Sequence, residues 1–393
     1  MPVSTFDLTL RGVPFIAFVV AAALMAVPSA DTRSAGLSRR GRGADHAGDL
    51  AAQSPRAATS GRIEVLRSID GLPAEIVGVF DEPVAFQQAQ SGQYFVLDRR
   101  GHTVYGIDAA KTTSWKIVQI GQETGRIIEP TAFDLEPVMA TFVIADAPEG
   151  RERVQVFASG GRLLGGFSLP GRATMRVVIS GLALSGVGSL QYTGHSILMS
   201  QPETGALFTE FAMTGTRQRN IGTLRLTGQE ADREVHLALN AGYPLVNPRG
   251  GFYFVFQAGV PTIRKFDDSG KLVFERHIEG RELDDALLAL PTRWPRRTTG
   301  EAREVPLVPP LVRAAAVDPD GNLWVSLTLP YTYVYNSNGE KIRTVQFRGA
   351  GIITATSLSF TPAGTLLITP GCYEFRPGTQ GTGNRYQGTG IRE

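Results

Sequence analysis

VDPDGNLWVSL, Val317 to Leu327, places a Pro-Asp-Gly-Asn cluster just ahead of an alternating apolar run, and LVRAAAV precedes it. Proline fixes φ, glycine supplies the left-handed conformation, and Asp and Asn bond their own backbone. The chain therefore reverses there and the flanking runs pair as a hairpin. The same outline recurs five times with altered identities. It appears in AFQQAQSGQYFVLD from Ala85, AFDLEPVMATFVIAD from Ala132 and LALSGVGSLQYTGHSILMS from Leu182. YPLVNPRGGFYFVF from Tyr243 and LSFTPAGTLLITP from Leu358 complete the set.

A second hairpin follows each of the first five phrases, as in RVQVFASGGRLLGGFSL from Arg153 and TYVYNSNGEKIRTVQF from Thr332. Four short antiparallel strands per unit, repeated at roughly 45–70 residues, are the mark of a propeller blade. The sixth unit is short, because only CYEF follows its first hairpin. RIEVLRSI, Arg62 to Ile69, precedes the first unit as a strand without a partner. Joining the two removes an exposed edge. The expected fold is all-β: a six-bladed β-propeller over 61–376, its last blade closed by the N-terminal strand 62–69.

The chain here resembles the six-bladed propellers of the NHL-repeat and TolB-like kind, in which Asp-Pro-Asp-Gly-Asn-Leu-Trp-Val is a familiar blade phrase. Asp318 to Val325 reproduces it, and the other units keep only its hydrophobic outline. The resemblance implies a fold; propellers host enzymes, receptors and scaffolds alike.

Composition agrees. Glycine at 45 and proline at 24 suit a fold of many tight turns, and 42% apolar against 19% charged residues allows a sizeable core. A formal charge of +2 gives no reason to expect nucleic acid as a partner. Cys372 is the sole cysteine, so an intrachain disulfide and CxxC metal motifs are excluded. Arg11, the apolar run Val13 to Val27 and small residues to Ala30 read as a signal peptide over 1–30; at about 15 residues the run is short for a bilayer span. Export to the periplasm or medium of a bacterium is the expectation, with no stable membrane span after signal removal. Residues 31–60 read as a flexible linker and 377–393 as a flexible tail.

Chemical motifs are sparse. His46, His102, His195, His236 and His277 show no metal-ligand spacing, and no GxSxG, GxGxxG or Walker loop is present. Nothing therefore calls for a cofactor. DPDGN and DDSG lack the terminal glutamate of an EF-hand loop and read as plain turns. If the strands of each blade run in order from the axis outward, the connections between blades share one face with the loop between the second and third strands. Glu82, Glu129 and Arg313 sit just before inner strands, at that face of the channel. Six-bladed calcium-dependent lactonases are similar in placing an acidic residue there. The asparagine-glycine phrases that supply their other ligands are missing here, which leaves a metal-dependent hydrolase or lyase as the alternative reading.

The same face carries the largest insertion, 279–312. Leu283, Ala286, Leu287 and Leu290 recur at helical spacing before Pro291. Arg293, Trp294, Arg296 and Arg297 then combine an aromatic anchor with guanidiniums, a composition enriched in recognition hot spots. A second insertion, TGQEADREVHLALNAG, alternates like a strand but begins acidic like a helix, and both readings stay open. The expected function is an exported binding module or scaffold for a protein, peptide or glycan, with Arg293, Trp294, Arg296, Arg297, Glu82, Glu129 and Arg313 as ligand-binding candidates.

Overall fold

A computed structural model describes residues 63–170, 188–298 and 304–378, together with the backbone of a short hairpin, Val178–Ile179 with Leu182–Ala183. The expected signal segment, the 31–60 linker and residues 379–393 of the expected tail lie outside them. The protein is a six-bladed β-propeller. Blade 1 comprises Pro83–Gln88, Tyr94–Asp98, Thr103–Ile107 and Ser114–Val118; blade 2 comprises Ala132–Glu136, Thr141–Asp146, Arg153–Phe157 and Leu163–Ser168. Blade 3 runs from Leu190 to Thr223 and blade 4 from Gly242 to His277, again as four-stranded antiparallel meanders. Blade 5 is built on Val312–Val317, Leu323–Leu327, Thr332–Tyr335 and Lys341–Arg348. Ser357–Phe360, Leu366–Thr369 and Tyr373–Phe375 begin blade 6.

Turn chemistry explains the regularity. The Asp318 carboxylate accepts the backbone N–H groups of Asp320 and Asn322 at 3.0 and 2.8 Å, and the indole N–H of buried Trp324 at 3.0 Å. Gly321 takes φ +85° at the turn, which a side chain would strain. The DPDGN phrase is thus a turn that also fixes a core tryptophan.

Closure follows the expected principle with a different register. Glu64–Arg67 does not enter blade 6. It runs parallel to Lys341–Arg348, adding an outer strand to blade 5, and the Glu64 carboxylate receives Nε and Nη2 of Arg343, both at 2.8 Å. The chain then steps across, and Asp70–Gly71 pairs antiparallel with Tyr373 and Glu374. Backbone bonds Ile69 N–H to Glu374 O and Leu72 N–H to Cys372 O, 2.9 and 3.0 Å, extend this contact. One strap therefore covers two edges.

The core is six apolar layers, one between each pair of adjacent blades. Phe95 and Phe142 meet between blades 1 and 2, Phe208 and Phe254 between blades 3 and 4, and Trp324 lies with Leu366 and Phe375 between blades 5 and 6. The layer between blades 6 and 1 includes Leu72 and Ile76 of the segment after the strap. No helix among the described residues is long and apolar enough to cross a membrane.

Candidate functional site

The inner strands of all six blades line one central cavity of about 350 Å³. The phrases that decided the fold also decide its wall. Aligned on the inner strands, Ala85-Phe86-Gln87, Ala132-Phe133-Asp134 and Ser189-Leu190-Gln191 place a polar side chain at the same step of blades 1, 2 and 3. Each of these side chains reaches the next blade. Gln87 Oε1 accepts the Leu135 N–H at 2.7 Å, Asp134 Oδ2 accepts the Tyr192 N–H at 2.8 Å, and Gln191 Oε1 accepts the Val246 N–H at 2.6 Å. Gln87 Nε2 also donates to Asp134 Oδ1 at 3.0 Å. At that step blade 4 presents Leu245, and the wall continues with Arg313, Ala315 and Val317 of blade 5 and with Ser357, Leu358, Ser359 and Phe360 of blade 6. The hydrogen-bonded side chains of blades 1 to 3 form one polar arc; across the channel the inner strands of blades 4 and 5 are apolar except at Arg313, and blade 6 is mixed.

Among the described residues that line the channel, Asp134 is the one carboxylate. Burial pushes its pKa up to about 6, against the opposing hydrogen bonds from Tyr192, Gln87 and Leu135. A carboxyl whose folded pKa lies above its ordinary value of 3.8 binds its proton more tightly in the fold. The associated stability is present below the unfolded pKa and is lost as pH rises through about 6. Comparing wild type with Asp134→Asn in urea melts separates the effect of this carboxyl from that of the others. Wild type is expected to lose about 1.5 kcal/mol relative to the variant between pH 4 and 7, below the full linkage value because the side chain faces a hydrated channel. A difference that stays constant over that range would refute the assignment.

The channel mouth is built by a repeated device. Asp98, ending the second strand of blade 1, is buried and accepts the N–H groups of Asp81, Glu82 and Gly101 at 3.0, 2.8 and 3.1 Å. Asp146 repeats the position in blade 2, accepting the Ile128 N–H at 3.2 Å and Nε and Nη2 of Arg153 at 2.9 and 2.6 Å. These carboxylates pin the connections that carry Glu82 and Glu129. Glu82 forms a two-pronged ion pair with Arg99 of the channel wall. Glu129 is exposed, and its N–H donates to Nδ1 of His102 at 2.7 Å. Arg313 lines the channel, and its carbonyl accepts the Tyr243 hydroxyl, whose pKa burial pushes up to about 12. Arg313 and, through Arg99, Glu82 thus border the channel, whereas Glu129 is not part of its lining. No group of three or more His, Cys, Asp or Glu side chains among the described residues is arranged to hold a metal ion.

The insertions before and after blade 4 fold against each other. Arg233–Asn240 is a helix, which resolves the ambiguous VHLAL segment: Asp232 caps it by accepting the Val235 N–H. Asp232 also receives Nη2 of Arg296 at 2.6 Å, and Glu234 receives Nη1 at 3.1 Å. Trp294 packs beside Val235, Leu239, Ala258 and Val308. The helical spacing from Leu283 yields a 3-10 turn, Arg281–Leu283, and a short helix, Asp284–Leu288, with Leu283 fully buried. Of the four-residue cluster, Trp294 and Arg296 are engaged within the insertions, and Arg293 and Arg297 are exposed. Arg225 fastens the assembly by donating to the carbonyls of Leu239, Ala258 and Val260 at 2.7–2.8 Å while lying over the Phe256 ring.

The channel residues Gln87, Asp134 and Gln191 carry no recognisable motif. Their signal is a polar side chain at the third step of each inner-strand phrase, visible only once the blades are aligned.

No family model and no curated protein matches the sequence. Among solved structures, the chain is similar to hydrazine synthase of Kuenenia stuttgartiensis, with 12% identity, a TM-score of 0.43, and coverage of 74% of this chain and 92% of that one. It is also similar to virginiamycin B lyase from Staphylococcus aureus, at 8% identity and a TM-score of 0.41, over 73% of this chain and 77% of that one. A catalytically inactive form of that lyase with quinupristin gives 8% identity and a TM-score of 0.43 over the same shares. Likeness at this level carries no functional argument.

Proposed function

We propose that the protein is an exported binding module that meets a protein, peptide or glycan at the face bearing the two insertions, with an end of that ligand entering the central channel. The cavity carries the reading. At about 350 Å³ it lies within the size range of small-ligand sites, and it combines apolar stretches with polar groups fixed by hydrogen bonds. Its polar side chains are already oriented by bonds between blades, so a ligand meets a prearranged surface rather than one that must be ordered on binding. The apolar run Val13 to Val27 supports export.

The test uses peptide and glycan arrays probed with the mature chain. Ala315, a partly exposed residue of the channel wall, is replaced by Leu and by Phe. Binding to the array hits is expected to fall in step with side-chain volume, by at least about tenfold for Ala315→Phe, while a well-folded melt is retained. Hits that survive both substitutions in folded protein would place recognition elsewhere.

A further inference from the structure

We propose that Asp134 receives the ammonium group of a ligand whose alkyl portion lies along the apolar inner strands of blades 4 and 5. This inference rests on the channel reading and assigns the chemistry of what the channel takes.

Three observations carry it. First, no described cation lies within ion-pair distance of Asp134: the salt bridges of the described residues leave it out. Two guanidiniums line the channel with it: Arg99 is held by Glu82, and Arg313 stands on blade 5. A carboxylate that faces a cavity without an ion-pair partner of its own is costly unless a charge of opposite sign arrives. Second, its acceptor capacity is only partly used. An ionised carboxylate offers about four lone-pair sites. Gln87 Nε2 at 3.0 Å fills one on one oxygen and the Tyr192 N–H at 2.8 Å one on the other, and the Leu135 N–H, which bonds mainly to Gln87, adds a third contact. The two bonds also fix the carboxylate plane, so the remaining sites are presented in a defined direction.

Third, the surroundings select among cations. Calcium takes six to eight oxygen ligands and magnesium demands near-octahedral geometry. The neighbours of Asp134 on the polar arc are the neutral amides of Gln87 and Gln191, whose carbonyl oxygens already accept backbone N–H groups. An ammonium needs far less: one carboxylate for its charge and one or two polar contacts. Across the channel Leu245, Ala315 and Val317 of blades 4 and 5 bury methylenes, and the hydroxyls of Ser357 and Ser359 on blade 6 are neutral. A primary amine on a short carbon chain satisfies both sides of the channel at once. The end of a lysine side chain or an alkylamine has this composition.

Isothermal titration calorimetry of the mature chain at neutral pH and low salt, with n-hexylamine, 1-hexanol and hexanoate as probes, tests the assignment. Hexylamine is expected to bind wild type at least about tenfold more tightly than hexanol, since hydrogen bonds to charged groups are the strong ones, and hexanoate least. Asp134→Asn is expected to level hexylamine with hexanol while leaving hexanol affinity within about twofold. Ala315→Phe is expected to abolish both. Equal affinity for hexylamine and hexanol on wild type overturns the ammonium site, and this comparison needs no variant to fold. A hexylamine preference that persists in folded Asp134→Asn overturns it too. In both cases a loss of hexanol binding in Ala315→Phe keeps the channel reading intact. Alkyl probes bound equally by wild type and Ala315→Phe overturn the channel reading itself.

Discussion

Removing residues 63–72 is expected to abolish the cooperative melt of the ring. Those residues cover the outer edge of blade 5 through Glu64–Arg67 and complete blade 6 through Asp70–Gly71. Their loss opens two strand edges at once, unpairs Arg343, and strips Leu66 and Leu72 from two of the interblade layers. Each broken backbone bond and each uncovered leucine contributes on the order of 1–2 kcal/mol. Together they approach the 5–15 kcal/mol that about covers the whole stability of a domain. Calorimetry should show a broad, weak transition with aggregation, whereas deleting residues 31–58 should leave the melt unchanged. A sharp wild-type-like transition without 63–72 would mean that the ring closes by other contacts.

The second large effect is expected at the seam between blades 6 and 1. Lys111 Nζ lies 2.6 Å from Asp70 and 2.5 Å from Glu374, and the Tyr94 hydroxyl donates to the same Glu374 oxygen at 2.8 Å. The ammonium also sits over the Tyr94 ring. Glu374 is 9% exposed, so Lys111→Met leaves a buried carboxylate with only a phenol for company. Breaking a buried pair in this way costs about 3 kcal/mol, and urea denaturation should show it. Adding Glu374→Met to Lys111→Met is expected to recover part of the loss, because the stranded charge is then gone. If the double variant is less stable than wild type by the full sum of the two single losses, the two residues do not act as a pair.

The blades were legible because a hairpin is a local event. Pro-Asp-Gly-Asn and Asp-Asp-Ser-Gly fix a turn, and the alternation beside them fixes which side chains go inward, so Val317 to Leu327 could be read without its neighbours. The strap was legible only in part. A parallel strand has no turn joining it to its partner, so nothing in RIEVLRSI says that Val65 faces Gln346 rather than the end of CYEF. Closure by an N-terminal segment was inferable from the missing strand; its register was not. The insertion shows a different limit. Trp294 with Arg296 has the composition of a recognition surface, but an aromatic on aliphatic residues and a guanidinium on carboxylates is also how a protein packs against itself, and here Asp232 and Val235 supply both partners. The channel wall was hidden for the opposite reason: Gln87, Asp134 and Gln191 are unremarkable singly and acquire meaning only as one position repeated around a ring.

The strap has a consequence for how the protein is made. Glu64 bonds to Arg343, 279 residues later, and Tyr94 to Glu374, 280 residues later. A ribosome or translocation pore releases the early partner of each pair long before the late one. Blades 1 to 4 can stack as they emerge, each on its predecessor, while the N-terminal segment waits unpaired for the final third of the chain. Contacts of such sequence separation are slow to form, and the open-ended arc exposes pairing edges in the meantime. Vectorial synthesis therefore delivers an arc whose first residues perform its last folding step. Circular permutants that begin in the loop before blade 2 would bring the strap close in sequence to blades 5 and 6 and make that step a more local one.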